Sequence, residues 1–146
     1  MVLTSVVAGE IGLHGCSPDA GAARAGVGAI GEALDAGWLT IAKAGVEGSD
    51  QPLNPGVAAG TCSTMALALL RQAAGEEVLV ILDDRCGRAE ARSQGLAIIG
   101  TAAVLVLAKE RNLIPACASL LVALREQGYF LSDGVVAAVL AQTDEA

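Results

Sequence analysis

Aromatic side chains are scarce in this chain of 146 residues: Trp38, Tyr129 and Phe130 are the whole set, 2% of the total. Proteins that hold single strands by base stacking need more of them. Histidine is represented by His14 alone, and Cys16, Cys62, Cys86 and Cys117 are widely spaced, with no CxxC pair. That pattern argues against a zinc site. The cysteines read as small buried residues of a reduced, cytoplasmic protein. Positive charge is also short. Nine Lys and Arg against 16 Asp and Glu leave a net charge of −7, so the surface as a whole has no footprint for nucleic acid. No apolar run is long enough for a bilayer: Leu96 to Ala108 is too short and is interrupted by Gly100 and Thr101. The N-terminus has no basic flank and carries Glu10 early, so neither a membrane span nor a signal peptide is expected.

Aliphatic residues are what the chain has in quantity. Apolar residues make up 53% of it, which excludes intrinsic disorder. A core of Leu, Val, Ile and Ala suits a parallel α/β architecture. The length fits one domain, residues 1–146, with a real core.

The pattern of turns and periodic segments gives an order of elements. Thr4 to Ile11 reads as a short helix capped by Thr4 or Ser5, with Glu10 as its carboxylate. Ser17-Pro18-Asp19 starts a second helix, rich in glycine, that stops at Gly37. Within it Gly26, Gly28 and Gly31 spell GxGxxG, but no strand precedes them, so a dinucleotide fingerprint is not indicated. Trp38 to Ala42 is a short strand, Lys43 to Gly56 a loop, and Val57 to Ala73 a helix ended by Gly75.

The most informative stretch is Val78 to Arg88. Five apolar residues, Val78 to Leu82, run into Asp83 and Asp84, then Arg85, Gly87 and Arg88. The apolar run reads as a strand buried on both faces. Ligands of open α/β sheets bind at the carboxyl ends of strands, and neighbouring carboxylates ionise together most easily near a cation. Two readings remain open here: a metal or phosphate site, or a turn in which Asp84 caps the next helix, about Cys86 to Gln94. Arg85, Arg88 and Arg92 fall on one face of that helix. With Lys109 and Arg111 they form a local basic patch, or simply a solvated face. After it come a strand at Leu96 to Ile99, a helix at Ala102 to Arg111, and an amphipathic helix at Ala116 to Gln127 with Leu120, Leu121 and Leu124 inward. A last helix, capped by Ser132 and Asp133, runs to Gln142, and Thr143 to Ala146 is expected to fray.

Several segments form a pattern together. They are Ile81-Leu82-Asp83-Asp84-Arg85-Cys86-Gly87-Arg88 with Ala91, Leu96 to Thr101, Leu107 to Pro115, and Phe130-Leu131-Ser132. Val6 to Ile11 belongs with them. This pattern resembles the PIN-domain family, in its toxin-like, nucleic-acid-binding branch. The resemblance implies a three-layer α/β/α sandwich around a mostly parallel sheet. It also implies cleavage of single-stranded RNA with Mg²⁺ or Mn²⁺, an antitoxin protein as partner, and a homodimer. Such chemistry uses about four carboxylates around one or two metals. In this chain Glu10 matches the second acid and Asp83 the last, with Asp84 beside it as a further ligand. Arg85, Arg88, Arg92, Thr101 and Lys109 would then hold phosphate or RNA.

The chain departs from the family at two points. The third acid, in a Gly-Glu pair, is replaced by Gly60-Thr61, and no carboxylate lies between Asp50 and Glu76. The strand carrying the first acid is missing, so an upstream start, a rearranged N-terminus or a pairing of two chains is expected. Impaired or absent catalysis follows, with a non-catalytic binding or oligomerisation module as the other reading. A phospho-acceptor receiver is a poor fit, because the nearest aspartate after Asp83-Asp84 is Asp133, beyond Lys109.

Overall fold

The computed structural model describes residues 1–11, 27–43 and 56–146. His14, the Ser17-Pro18-Asp19 helix start, Cys16, Gly26 and most of the 43–56 loop lie outside them. The described residues form a mixed α/β fold with seven helices and four short strands. The order is β1 (Val2–Thr4), α1 (Ser5–Glu10), α2 (Val27–Asp35), β2 (Thr40–Ala42), α3 (Ala59–Ala73), β3 (Leu79–Ile81), α4 (Arg85–Ser93), β4 (Ala97–Ile99), α5 (Thr101–Glu110), α6 (Ala118–Glu126) and α7 (Asp133–Gln142). Each strand is three residues long. Among the described residues the strands pair two by two, β1 with β2 and β3 with β4. The first pair is parallel, with Val2 opposite Thr40 and Thr4 opposite Ala42.

Two compact units result. The first is Met1–Val80 with Asp84–Ile98. Here α3 packs on β1 and α1 and touches α4. Ala8, Ala33, Leu39, Met65, Ala68 and Ala91 are buried in this unit. Thr4 is buried too, at 2% exposure, because its hydroxyl has two uses: it caps α1 through Val7 N–H (3.3 Å) and shares a hydrogen with Ser63 Oγ of α3 (2.7 Å). The second unit is Ile81–Asp83 with Ile99–Ala146. Its core is Val106, Cys117, Leu121 and Val139, with Leu105, Ile114, Leu131 and Leu140 around it, and α5 lies against α7.

Several sequence expectations need correction, among them the burial of the cysteines: Cys117 is buried, Cys62 half-buried and Cys86 exposed. No strand was expected before residue 38, yet Val2–Thr4 is one; three residues are too few to show an alternating pattern. The central strand is not buried on both faces. Val80 and Leu82 are buried, but Leu79 and Ile81 are 53% and 42% exposed. Its outward side chains are also aliphatic, which hides the period of two. Leu120 points to solvent; of the three leucines on α6 only Leu121 is fully buried. Finally, Thr143 to Ala146 does not fray, because Thr143 is buried and Glu145 is bonded into the second unit.

Candidate functional site

The start of α3 has no cap of its own. Its N-cap residue is Ala58, which offers no side-chain acceptor. The first four N–H groups of any helix lack intrahelical partners, and here Glu10, at the end of α1, supplies one. Gly60 N–H donates to Glu10 Oε1 at 3.1 Å. A Cβ at residue 60 would stand 2.6 Å from Glu10 Oε2, so a side chain there would push the carboxylate away.

The next residue holds the second carboxylate. Thr61 Oγ1 donates to Asp84 Oδ2 at 3.3 Å. Asp84 is also the N-cap of α4, accepting from Gly87 N–H through Oδ1 at 2.7 Å. Gly87 is buried, and a Cβ there would collide with Asp84 Oδ2 and lie 2.6 Å from Thr61 Cγ2. Consecutive residues of one helix start therefore hold Glu10 and Asp84. The partial positive charge of that start favours both carboxylates. Cys62 follows at once. Its thiol pKa is raised by burial first, then by the charges of Glu90 and Asp84.

Asp83 does different work in the second unit. It accepts from Thr101 N–H (2.9 Å) and Thr101 Oγ1 (2.5 Å) and so closes the start of α5, whose N-cap residue is Gly100. The Tyr129 hydroxyl is buried beside this pair without closing a well-formed hydrogen bond. Burial, then Asp83, raises its pKa. Lys109 is ion-paired to Glu145 at 2.7 Å, and Thr101 is bonded to Asp83. On α4, Arg85 and Arg92 are exposed and Arg88 is half-buried. Within the first unit Glu10 and Asp84 meet at the start of α3; within the second, Asp83 meets Thr101 at the start of α5 and Lys109 pairs with Glu145.

A divalent cation such as Mg²⁺ takes six or so oxygen ligands in near-octahedral geometry. The start of α3 offers two carboxylates and a hydroxyl, and both carboxylates already accept from the protein. Among the described residues no three His, Cys, Asp or Glu side chains gather into a metal site. This donor set does not fit the metal centre that the resemblance implies.

Sequence reasoning missed Glu145. Its carboxylate accepts from Cys117 N–H (2.8 and 3.1 Å to its two oxygens), Ala118 N–H (2.9 Å) and Lys109 Nζ (2.7 Å). These partners hold its pKa down to about 2, the Cys117 amide contributing most, then Lys109 and Ala118. No local signal announces it, because the helix it caps begins 27 and 28 residues earlier.

Short strands alternating with helices, the first pair of strands parallel, define an α/β protein. A family model described as a PIN domain matches residues 1–145, and the chain belongs to the PIN-domain family. No curated protein and no solved structure matches it. Among the described residues no helix is long and apolar enough to cross a membrane.

Proposed function

We propose that this PIN-domain protein is related to the metal-dependent single-strand ribonucleases of toxin–antitoxin systems, with catalysis impaired or absent, and that it acts by binding. The carrying observation is Thr61. At the third-acid position the chain has a hydroxyl that donates to Asp84, where the family's chemistry needs a carboxylate beside it. Arg85 and Arg92 stay exposed on the helix that Asp84 caps, which supports a role in holding phosphate. A homodimer or an antitoxin complex is the assembly in which such a module would work.

The test is incubation of the purified chain with labelled single-stranded RNA and excess Mg²⁺ or Mn²⁺. The expected result is no more cleavage than by a Glu10→Gln, Asp84→Asn double variant. Metal-dependent cleavage by the native chain, lost on Asp84→Ala or Asp83→Ala, would establish the other reading, an active ribonuclease. That reading draws on the approach of Glu10 and Asp84 to one helix start.

A further inference from the structure

The misfit between the donor set and a divalent cation raises a question of charge. Two carboxylates drawn to one helix start repel each other unless something compensates them. In a metal site the cation does this. Here the Gly60 amide donates to Glu10, and the Thr61 hydroxyl and Gly87 amide donate to Asp84. A Cβ at Gly87 would strike both Asp84 and Thr61, and a Cβ at Gly60 would displace the Glu10 carboxylate it holds. The three elements involved, α1, α3 and α4, all belong to the first unit. Polar contacts among them include these groups and the Thr4–Ser63 hydrogen bond, and α1 and α4 belong to the same unit as α3, which contacts both.

We propose that Glu10, Gly60, Thr61, Asp84 and Gly87 form a metal-independent clamp, in which the Thr61 hydroxyl and the Gly60 amide compensate charge where a cation otherwise would. The clamp fastens the start of α3 to the end of α1 and the start of α4. It rests on the reading above that the acid set is incomplete, and it goes further: the remaining acids act as structural groups. Thr61 is the pivot. A carboxylate at 61 would turn a donor to Asp84 into a third negative charge next to it, and would make the unit depend on a cation.

Thermal melts of the full chain in EDTA and in excess Mn²⁺ test this. The native chain should melt at the same temperature in both. Thr61→Val keeps the side-chain volume and removes the donor; it should lower Tm by about 2 °C, equally in both buffers. Thr61→Glu should melt lower than Thr61→Val in EDTA and recover in Mn²⁺. If Thr61→Glu does not fold without metal, its rescue by Mn²⁺ during refolding reads the same dependence. A native Tm that rises in Mn²⁺, or a Thr61→Val variant as stable as the native chain, overturns the clamp. The two ideas fail separately. A native chain stabilised by Mn²⁺ but inert toward RNA sinks the clamp alone, whereas RNA cleavage by a chain with a metal-independent Tm sinks the non-catalytic reading alone.

Discussion

Each unit of the molecule contains a helix that starts without a cap and borrows a distant carboxylate. In the first unit α3 begins after Ala58 and takes Glu10, 50 residues upstream. In the second, α6 begins after Cys117 and takes Glu145, 28 residues downstream. The device is the same but the surroundings differ. Glu145 has a side chain only 12% exposed, with Lys109 against it and two backbone amides on its oxygens. Glu10 is exposed to solvent. A carboxylate sheltered with its own cation is fixed in a structural role, because removing any partner leaves charge uncompensated. A carboxylate in water gains less from the same bond, so Glu10 holds the start of α3 more weakly than Glu145 holds that of α6.

The largest expected effect tests this contrast directly. Glu145→Gln turns an acceptor for three donors into a side chain that presents its own N–H₂ to them. Loss of a helix cap of this kind should lower Tm by roughly 5 °C or more at neutral pH. Glu10→Gln should cost under about 2 °C. Equal losses would break the comparison. Acid sharpens it. The folded pKa of Glu145, about 2, lies below the ordinary value of 4.5. Its contribution is therefore complete above pH 4.5 and disappears as pH falls toward 2. Melts of the native chain and of Glu145→Gln should converge over that interval. A gap unchanged across it would mean that the carboxylate charge is not what holds α6.

The contrast also explains which features were legible in the sequence. Thr4, Asp84 and Ser132 cap helices that begin at the next residue, and each was readable because donor and acceptor are three residues apart. Glu10 and Glu145 cap helices far away in the chain, and nothing local distinguishes them from solvated acids. The order of elements from Trp38 onward was legible because each helix is bounded by glycine or a capping residue. The two readings of Asp83 and Asp84 could not be separated in advance. Adjacent residues at a strand end point in opposite directions, so one acid turns to Thr101 and the other to Thr61. Gly60-Thr61 was visible as a departure from a family pattern, but the partner of the Thr61 hydroxyl was not.

An intermediate effect comes from one substitution made at two helical glycines of the first unit. Gly31, on α2, has no atom within 4 Å of an added Cβ, so Gly31→Ala should stabilise by about 0.5–1 kcal/mol and raise Tm by about 2 °C. Gly87→Ala gains the same helical preference. It also drives a methyl against Asp84 Oδ2 and to 2.6 Å from Thr61 Cγ2. Asp84 cannot swing aside without giving up its bond to Gly87 N–H. Losing that cap costs about 1 kcal/mol, and the displaced Thr61 adds to it. The net change should be a fall in Tm of about 2–4 °C. Opposite signs for the two glycines place the tight contact where Asp84 meets α3. Two increases would show that the first unit yields there as freely as in open helix.

The smallest effect is a chemical one, read at a thiol beside each borrowed cap. Cys62 is half-buried next to Thr61, and Asp84 is the lesser of the two acids that raise its pKa after burial has done most. Asp84→Asn removes that charge while leaving burial and Glu90 in place. Alkylation of Cys62 at mildly alkaline pH should therefore accelerate by less than about threefold. The exposed Cys86 supplies the internal standard, followed by mass spectrometry of the labelled peptides. Cys117, fully buried and raised by burial and then by Glu145, should remain the slowest of the three in the native chain. A Cys62 rate that does not respond to Asp84→Asn would put the carboxylate out of electrostatic reach of the start of α3. The first unit would then hold its helix by Glu10 alone, and the two caps would differ in their number of acids as well as in their exposure.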